Sequence, residues 1–225
     1  MPYRTTPLVA NEVYHVFNRG VNKQQIFWDE RDYSRLMDSL IYYSFVNPPV
    51  RYSFLNRLLP EQKSQILEKL YTKHERLIDI IAFVFMPNHY HILVKQLHDH
   101  GTSKFLSDWQ NSFSRYINTR HDRIGPLFQG QFKAVRVSSN AQLLHVSRYI
   151  HLNPFTSGIV SILDELPDFP WSSFPDYVGQ SNNSFVCKEI VLGQFKNDPE
   201  KYKAFVFDQA DYQRSLKRIK DLAID

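Results

Sequence analysis

Ile78-Asp79-Ile80-Ile81-Ala82-Phe83-Val84-Phe85-Met86 is a nearly continuous apolar run. It is broken by Pro87-Asn88 and resumes as His89-Tyr90-His91-Ile92-Leu93-Val94-Lys95. Two such runs, rich in β-branched and aromatic residues and split by a turn signal, predict adjacent antiparallel strands joined tightly. The second strand opens on His89 and His91. Alternate residues of a strand share a face, so the two imidazoles project together. Neutral imidazoles so placed can hold a divalent cation, though the same spacing suits packed or surface histidines. Two histidines side by side on an open sheet face would be costly to bury without partners.

The flanking sequence builds outward from this hairpin. Residues 11–18 read as a strand ending at Arg19-Gly20, and Asp29 is placed to cap a helix running to about Phe45. Tyr33, Leu36, Leu40 and Tyr43 recur on that helix at helical spacing, and Asn47-Pro48-Pro49 stops it. Residues 50–77 read as a helical insertion, opened at Pro60, with Ile66, Leu67, Leu70 and Tyr71 on one apolar side. Thr102 or Ser103 can cap a helix to about Arg120, with Phe105, Trp109, Phe113, Tyr116 and Ile117 on its buried stripe. A short strand is expected over 131–137. A helix capped by Ser139 or Asn140 should follow and end at Pro154. The order strand, helix, strand, strand, helix, strand is the split βαβ pattern. The expected fold is therefore α+β and ferredoxin-like. Four antiparallel strands would be backed by helices on one face, with a further helix after the last strand. We expect one domain over 1–160 and an extension over 161–225. The extension is irregular around Pro167, Pro170 and Pro175, then helical from Asp198-Pro199 to about 222, with a basic end at Arg214, Lys217, Arg218 and Lys220.

Composition narrows the function classes. The 225 residues carry a formal charge of +4, and 15 % are aromatic, including 13 Tyr and 17 Phe. Aromatic faces interleaved with Arg and Lys suit unpaired bases and a phosphate backbone. Most of those rings must still serve the core. The lone Cys187 excludes an intrachain disulfide and a cysteine-based zinc cluster, and reads as an inert small hydrophobe. No apolar run reaches the ~20 residues of a membrane span, and the first residues lack the apolar core of a signal peptide. The expectation is a cytoplasmic protein with no membrane partner.

The second chemical stretch is Tyr149-Ile150-His151-Leu152-Asn153-Pro154. Tyr149 and Asn153, four apart, share a helix face. A phenol there can act as nucleophile and an amide oxygen can bind a hard cation. By spacing alone, a core tyrosine followed by Asn153 as a C-terminal cap is the favoured arrangement. His151 lies off that face and reads as structural.

Four stretches in order make the chain recognisable: Tyr14-His15-Val16-Phe17-Asn18-Arg19-Gly20, Met86-Pro87-Asn88-His89-Tyr90-His91, Gly125-Pro126-Leu127-Phe128-Gln129-Gly130-Gln131-Phe132-Lys133, and Arg148-Tyr149-Ile150-His151-Leu152-Asn153-Pro154. Together they resemble the single-tyrosine HUH transposases, and within these the REP-associated tyrosine transposase branch. Trp171-Ser172-Ser173 followed by Tyr177 is similar to that branch's C-terminal region. The resemblance implies a metal-dependent single-stranded DNA endonuclease and strand transferase. It would act on hairpin-bearing DNA through a covalent 5′-phosphotyrosine. By position it implies His89, His91 and Asn153 as ligands of Mg²⁺ or Mn²⁺ and Tyr149 as the nucleophile. Tyr90 departs from the family, where a smaller apolar residue is usual between the histidines. It should pack on the opposite side of the strand. Asn18, Arg19, Arg115, Arg120, Arg123, Lys133, Arg136 and Arg148 are candidates to line a DNA path. The resemblance leaves monomer and homodimer both open, and it places the protein at the nucleoid.

Two other readings compete. A replication-initiator-like or relaxase-like HUH nuclease shares the chemistry but would need a larger partner. A non-catalytic nucleic-acid-binding module on the same topology would stack bases on Tyr14 and on Phe83 or Phe85. That reading leaves the histidine pair and the Tyr149/Asn153 face without a role.

Overall fold

The computed structural model describes residues 7–72 and 75–215. Its elements are β1 (Val13–Arg19), α1 (Glu30–Tyr43), α2 (Tyr52–Leu55), α3 (Pro60–Thr72), β2 (Ile78–Met86), β3 (His89–Gln96), α4 (Gly101–Arg120), β4 (Lys133–Val137), α5 (Asn140–Thr156), α6 (Phe174–Tyr177), α7 (Glu189–Leu192) and α8 (Pro199–Phe207). The strands form one four-stranded sheet in the order β2-β3-β1-β4. This is the antiparallel, split βαβ arrangement expected, with Pro87-Asn88 as the turn between β2 and β3.

Compactness divides the chain into two units. The first comprises 1–79, 87–89 and 94–136; the second comprises 80–86, 90–93 and 137–225. In the first unit, Asp29 caps α1 by accepting the Asp32 N–H at 3.1 Å, a contact of about 1 kcal/mol. Trp109 of α4 donates its indole N–H to the Leu36 carbonyl of α1 at 3.1 Å. Phe105, Trp109, Phe113 and Ile117 are buried as the apolar stripe required, whereas Tyr116 is only half-buried. The start of α4 lies earlier than Thr102. Gly101 opens it because a Cβ there would meet the Leu77 carbonyl oxygen at 2.5 Å, and His100 before it adopts φ 59°. Gln96 exchanges hydrogen bonds with Asn11 and Glu12, and the Gly20 N–H reaches the Asn88 carbonyl at 2.8 Å. This antiparallel register sets Arg19 opposite His89.

In the second unit the extension covers β2, an edge strand of the sheet. Cys187 N–H bonds the Ile80 carbonyl, and Phe85 N–H bonds the Trp171 carbonyl, both at 2.8 Å. Ser173 Oγ accepts the Phe83 N–H at 2.9 Å, and Tyr177 donates to the Ile81 carbonyl at 2.8 Å. An uncovered edge invites pairing with other chains, and the Trp171-Ser172-Ser173 stretch closes this one. Helix α5 begins at Ser139, whose side chain accepts the Gln142 N–H, but it passes Pro154 and ends at Thr156. Pro154 removes one hydrogen bond near the end. Ser157 N–H then restores the closure by bonding the Asn153 carbonyl at 3.0 Å. Asn153 is therefore inside the helix rather than its cap. Helix α8, capped by Asp198, stops at Phe207, short of the expected 222, with a turn at 208–209 before a further helical stretch. Lys217, Arg218, Lys220 and the first six residues lie outside the described residues.

Candidate active site

Within the second unit, His91, Tyr149 and Asn153 come together. The His91 and Tyr149 rings meet edge to face, with centroids 5.2 Å apart and planes at 86°. Asn153, on the turn after Tyr149, hydrogen-bonds the phenol. His91 and Asn153 are nearly buried, whereas Tyr149 remains 38 % exposed. A group that is held by neighbours yet reachable from solvent suits an attacking atom. Desolvation pushes the Tyr149 phenol above the usual tyrosine range, and the Asn153 hydrogen bond opposes that shift. At neutral pH the oxygen is therefore protonated and needs activation to attack.

His89 precedes His91 on the same strand face. Its Nδ1 lies 2.6 Å from the Asn88 Oδ1. Asn88 is itself oriented, because its amide nitrogen donates to the Lys23 carbonyl at 3.0 Å. The amide oxygen thus faces His89, and in the neutral ring Nδ1 carries the proton. Metal-binding histidines are set in this way, the second ring nitrogen being held by an acceptor. The sequence reading missed Asn88. The signal was available, since a ligand histidine needs such an acceptor and Asn88 adjoins it.

Within the second unit, the His91 imidazole and the Asn153 amide oxygen are donor types that suit a divalent cation of intermediate hardness. Among the described residues, no cluster of three or more His, Cys, Asp or Glu offers an alternative metal site.

The remaining sequence candidates differ in their surroundings. Asn18 is buried and donates to the Gly130 carbonyl at 3.2 Å while accepting the Arg19 N–H. The Arg120 guanidinium grips Asp29 at 2.6 Å and also Asp32, whose carboxylate is fully buried. Arg148 stacks 4.4 Å from the Phe205 ring centre and reaches the Phe205 carbonyl at 3.4 Å. Asn18 and Arg120 thus have partners distant in sequence, which spacing cannot reveal. Arg136 pairs with Glu12, Arg19 reaches Gln129, and Arg123 lies over Trp28. Lys133 and Arg115 are exposed. Tyr90 is fully buried. Tyr14, Phe83 and Phe85 are at most 1 % exposed. They cannot stack bases, which removes the aromatic platform of the non-catalytic reading. His151 is fully buried, with Nδ1 2.8 Å from the Tyr202 hydroxyl and Nε2 2.8 Å from Ser173 Oγ. Burial pulls its pKa down to about 3.

Among the described residues, no helix is long and apolar enough to cross a membrane. No curated protein sequence matches the chain. A solved structure of a REP-associated tyrosine transposase bound to a REP hairpin is similar in fold. Its TM-score is 0.52 at 16 % identity, over 83 % of this chain and 96 % of that one. A putative transposase from Deinococcus radiodurans R1 matches over 66 % of this chain and 95 % of its own, at 15 % identity. Its TM-score is 0.36. Residues 37–153, which include both histidines, Tyr149 and Asn153, match the family of IS200-like transposases. The chain belongs to the IS200-like transposase family.

Proposed function

We propose that this transposase cuts single-stranded DNA beside a hairpin through Tyr149, with His89, His91 and Asn153 holding a divalent cation. The observation that carries the reading is the Tyr149 phenol, partly exposed, bonded to Asn153 and set against the His91 ring. When bound there, Mg²⁺ or Mn²⁺ would polarise a phosphate oxygen and stabilise the charge that develops on it. Tyr149 Oη attacks phosphorus as the P–O3′ bond breaks. The phenol proton passes to solvent, and the departing 3′ oxygen takes one up. The product is a 5′-phosphotyrosine that retains the energy of the broken bond. A 3′-OH from another strand end can therefore attack it and rejoin DNA without ATP. Asn88 holds the Nδ1 side of His89 as a hydrogen-bond acceptor.

The hairpin substrate is proposed from the four ordered sequence motifs. The similarly folded REP-associated transposase, bound to its own REP hairpin, points the same way. The test is incubation with a labelled hairpin oligonucleotide carrying a single-stranded flank, in Mn²⁺, followed by a denaturing gel. A covalent adduct absent from Tyr149→Phe is expected. Binding without an adduct in any divalent metal would overturn the reading.

A further inference from the structure

The first unit holds a cavity whose lining does not include His89. It is a cleft of about 1120 Å³ bordered by α1, α4 and the segment 47–57 that leads into and contains α2. It exceeds the ~300–1,000 Å³ of a typical small-molecule site. The inserted segment is firmly docked. Tyr42 donates to the Val50 carbonyl at 2.7 Å, the Tyr52 N–H reaches the Tyr43 hydroxyl at 3.1 Å, and Tyr52 donates to Asp38 at 3.0 Å. The insertion thus supplies a wall of the cleft.

The wall it supplies is basic. Arg51 and Arg57 come from the insertion, and Arg31 and Arg115 face them from α1 and α4. Among the described residues, none of these four has a carboxylate partner. Of the acids lining the cleft, Asp108 is paired with Lys104 at 2.8 Å and Asp38 takes the Tyr52 hydroxyl. Arg35 lies deeper. It is only 9 % exposed, its guanidinium carbon sits 4.1 Å from the Tyr52 ring centre, and its Nη1 is buried without a hydrogen-bond partner. A buried donor left unpaired is unfavourable unless something fills the position. A stacked, planar guanidinium with exposed arginines around it matches phosphate geometry, and the half-buried Tyr116 ring at the cleft can take a base.

We propose that this cleft is a second DNA-binding site, in which Arg35 receives a backbone phosphate and Arg31, Arg51, Arg57 and Arg115 neutralise its neighbours. The proposal rests on the reading of the chain as a DNA-binding transposase, and it gives the 50–57 part of the insertion a role.

The test measures binding alone. A fluorescent hairpin oligonucleotide with a single-stranded flank is titrated with full-length Tyr149→Phe protein in EDTA at several salt concentrations. Each lost phosphate contact lowers the slope of log K against log salt by roughly 0.7–0.9. Adding Arg51→Glu with Arg57→Glu is expected to weaken binding at least ~10-fold and to flatten the slope by about 1.4–1.8. Arg35→Gln should also weaken binding while leaving the melting temperature unchanged or raised, because an unpaired buried donor is removed. Affinity and slope unchanged in the double variant would overturn the proposal. So would an Arg35→Gln protein that melts lower and binds normally. Failure of the tyrosine chemistry would appear separately, as a missing adduct in the wild-type protein with Mn²⁺.

Discussion

Tyr149 and His151 stand two residues apart on α5, about 200° around the helix from one another. Their surroundings differ completely. Tyr149 is 38 % exposed and rests on His91 and Asn153. His151 is sealed from water, with a hydroxyl on each ring nitrogen, and is ringed by Phe174, Tyr177 and Tyr202. One face presents a polar group that solvent can reach. The other spends its polar atoms locking the C-terminal extension to the helix. Both residues belong to one recognisable motif, so the motif alone does not separate chemistry from architecture. Exposure is what distinguishes the two side chains.

The largest expected effect is on the reactive side. His89→Ala should abolish formation of the DNA adduct while largely sparing DNA affinity, read by denaturing gel and anisotropy. Equal loss of both would make His89 structural and dissolve the contrast with His151. On the structural side, His151→Ala should lower stability by about 3 kcal/mol in urea unfolding. It leaves a cavity and deprives the Ser173 and Tyr202 hydroxyls of a partner. Below its melting temperature the variant should still form the adduct. A folded but inactive variant would merge the two faces into one site.

A smaller effect is expected at the residue that orients His89. Asn88→Ala should weaken Mn²⁺ binding about 10–100-fold by calorimetry, without changing the melting temperature by more than a few degrees. Unchanged Mn²⁺ affinity would mean that the Asn88 contact merely shapes the turn. The smallest effect is acid sensitivity. Burial lowers the folded-state pKa of His151 to about 3 and that of His15 to about 4, below the unfolded value near 6.5. The neutral forms are favoured on folding. Their contribution is fully present above about pH 6.5 and is lost as pH falls through 4 towards 3. The melting temperature should fall over that window, and less steeply in His151→Gln. An equal slope in that variant would assign the acid loss elsewhere.

Much of the fold was legible before any coordinates. The Ile78–Met86 and His89–Gln96 runs, the Asp29 and Ser139 caps, and the helical stripe at Phe105, Trp109 and Phe113 all appear where periodicity and capping placed them. Less was legible at helix ends. Pro154 reads as a stop, yet α5 runs one turn further because Ser157 completes the hydrogen bonding. Gly101 opens α4 because of Leu77, a neighbour distant in sequence. The arginines were the hardest to read. Arg120 and Arg148 look like Arg115 in sequence, but partners far along the chain hold them.

The sequence by itself determined the periodicities, the turn between the histidines and the ordered motifs, because these depend on residues close along the chain. That was enough for the split βαβ order and for the family. Only the tertiary structure decided that His91, Tyr149 and Asn153 adjoin, that Asn88 turns His89, and that Arg35 Nη1 is buried without a hydrogen-bond partner. It also decided that His151 is spent on packing. Burial and hydrogen-bond partners come from residues far apart in sequence, and no local pattern encodes which polar group will be left unsatisfied.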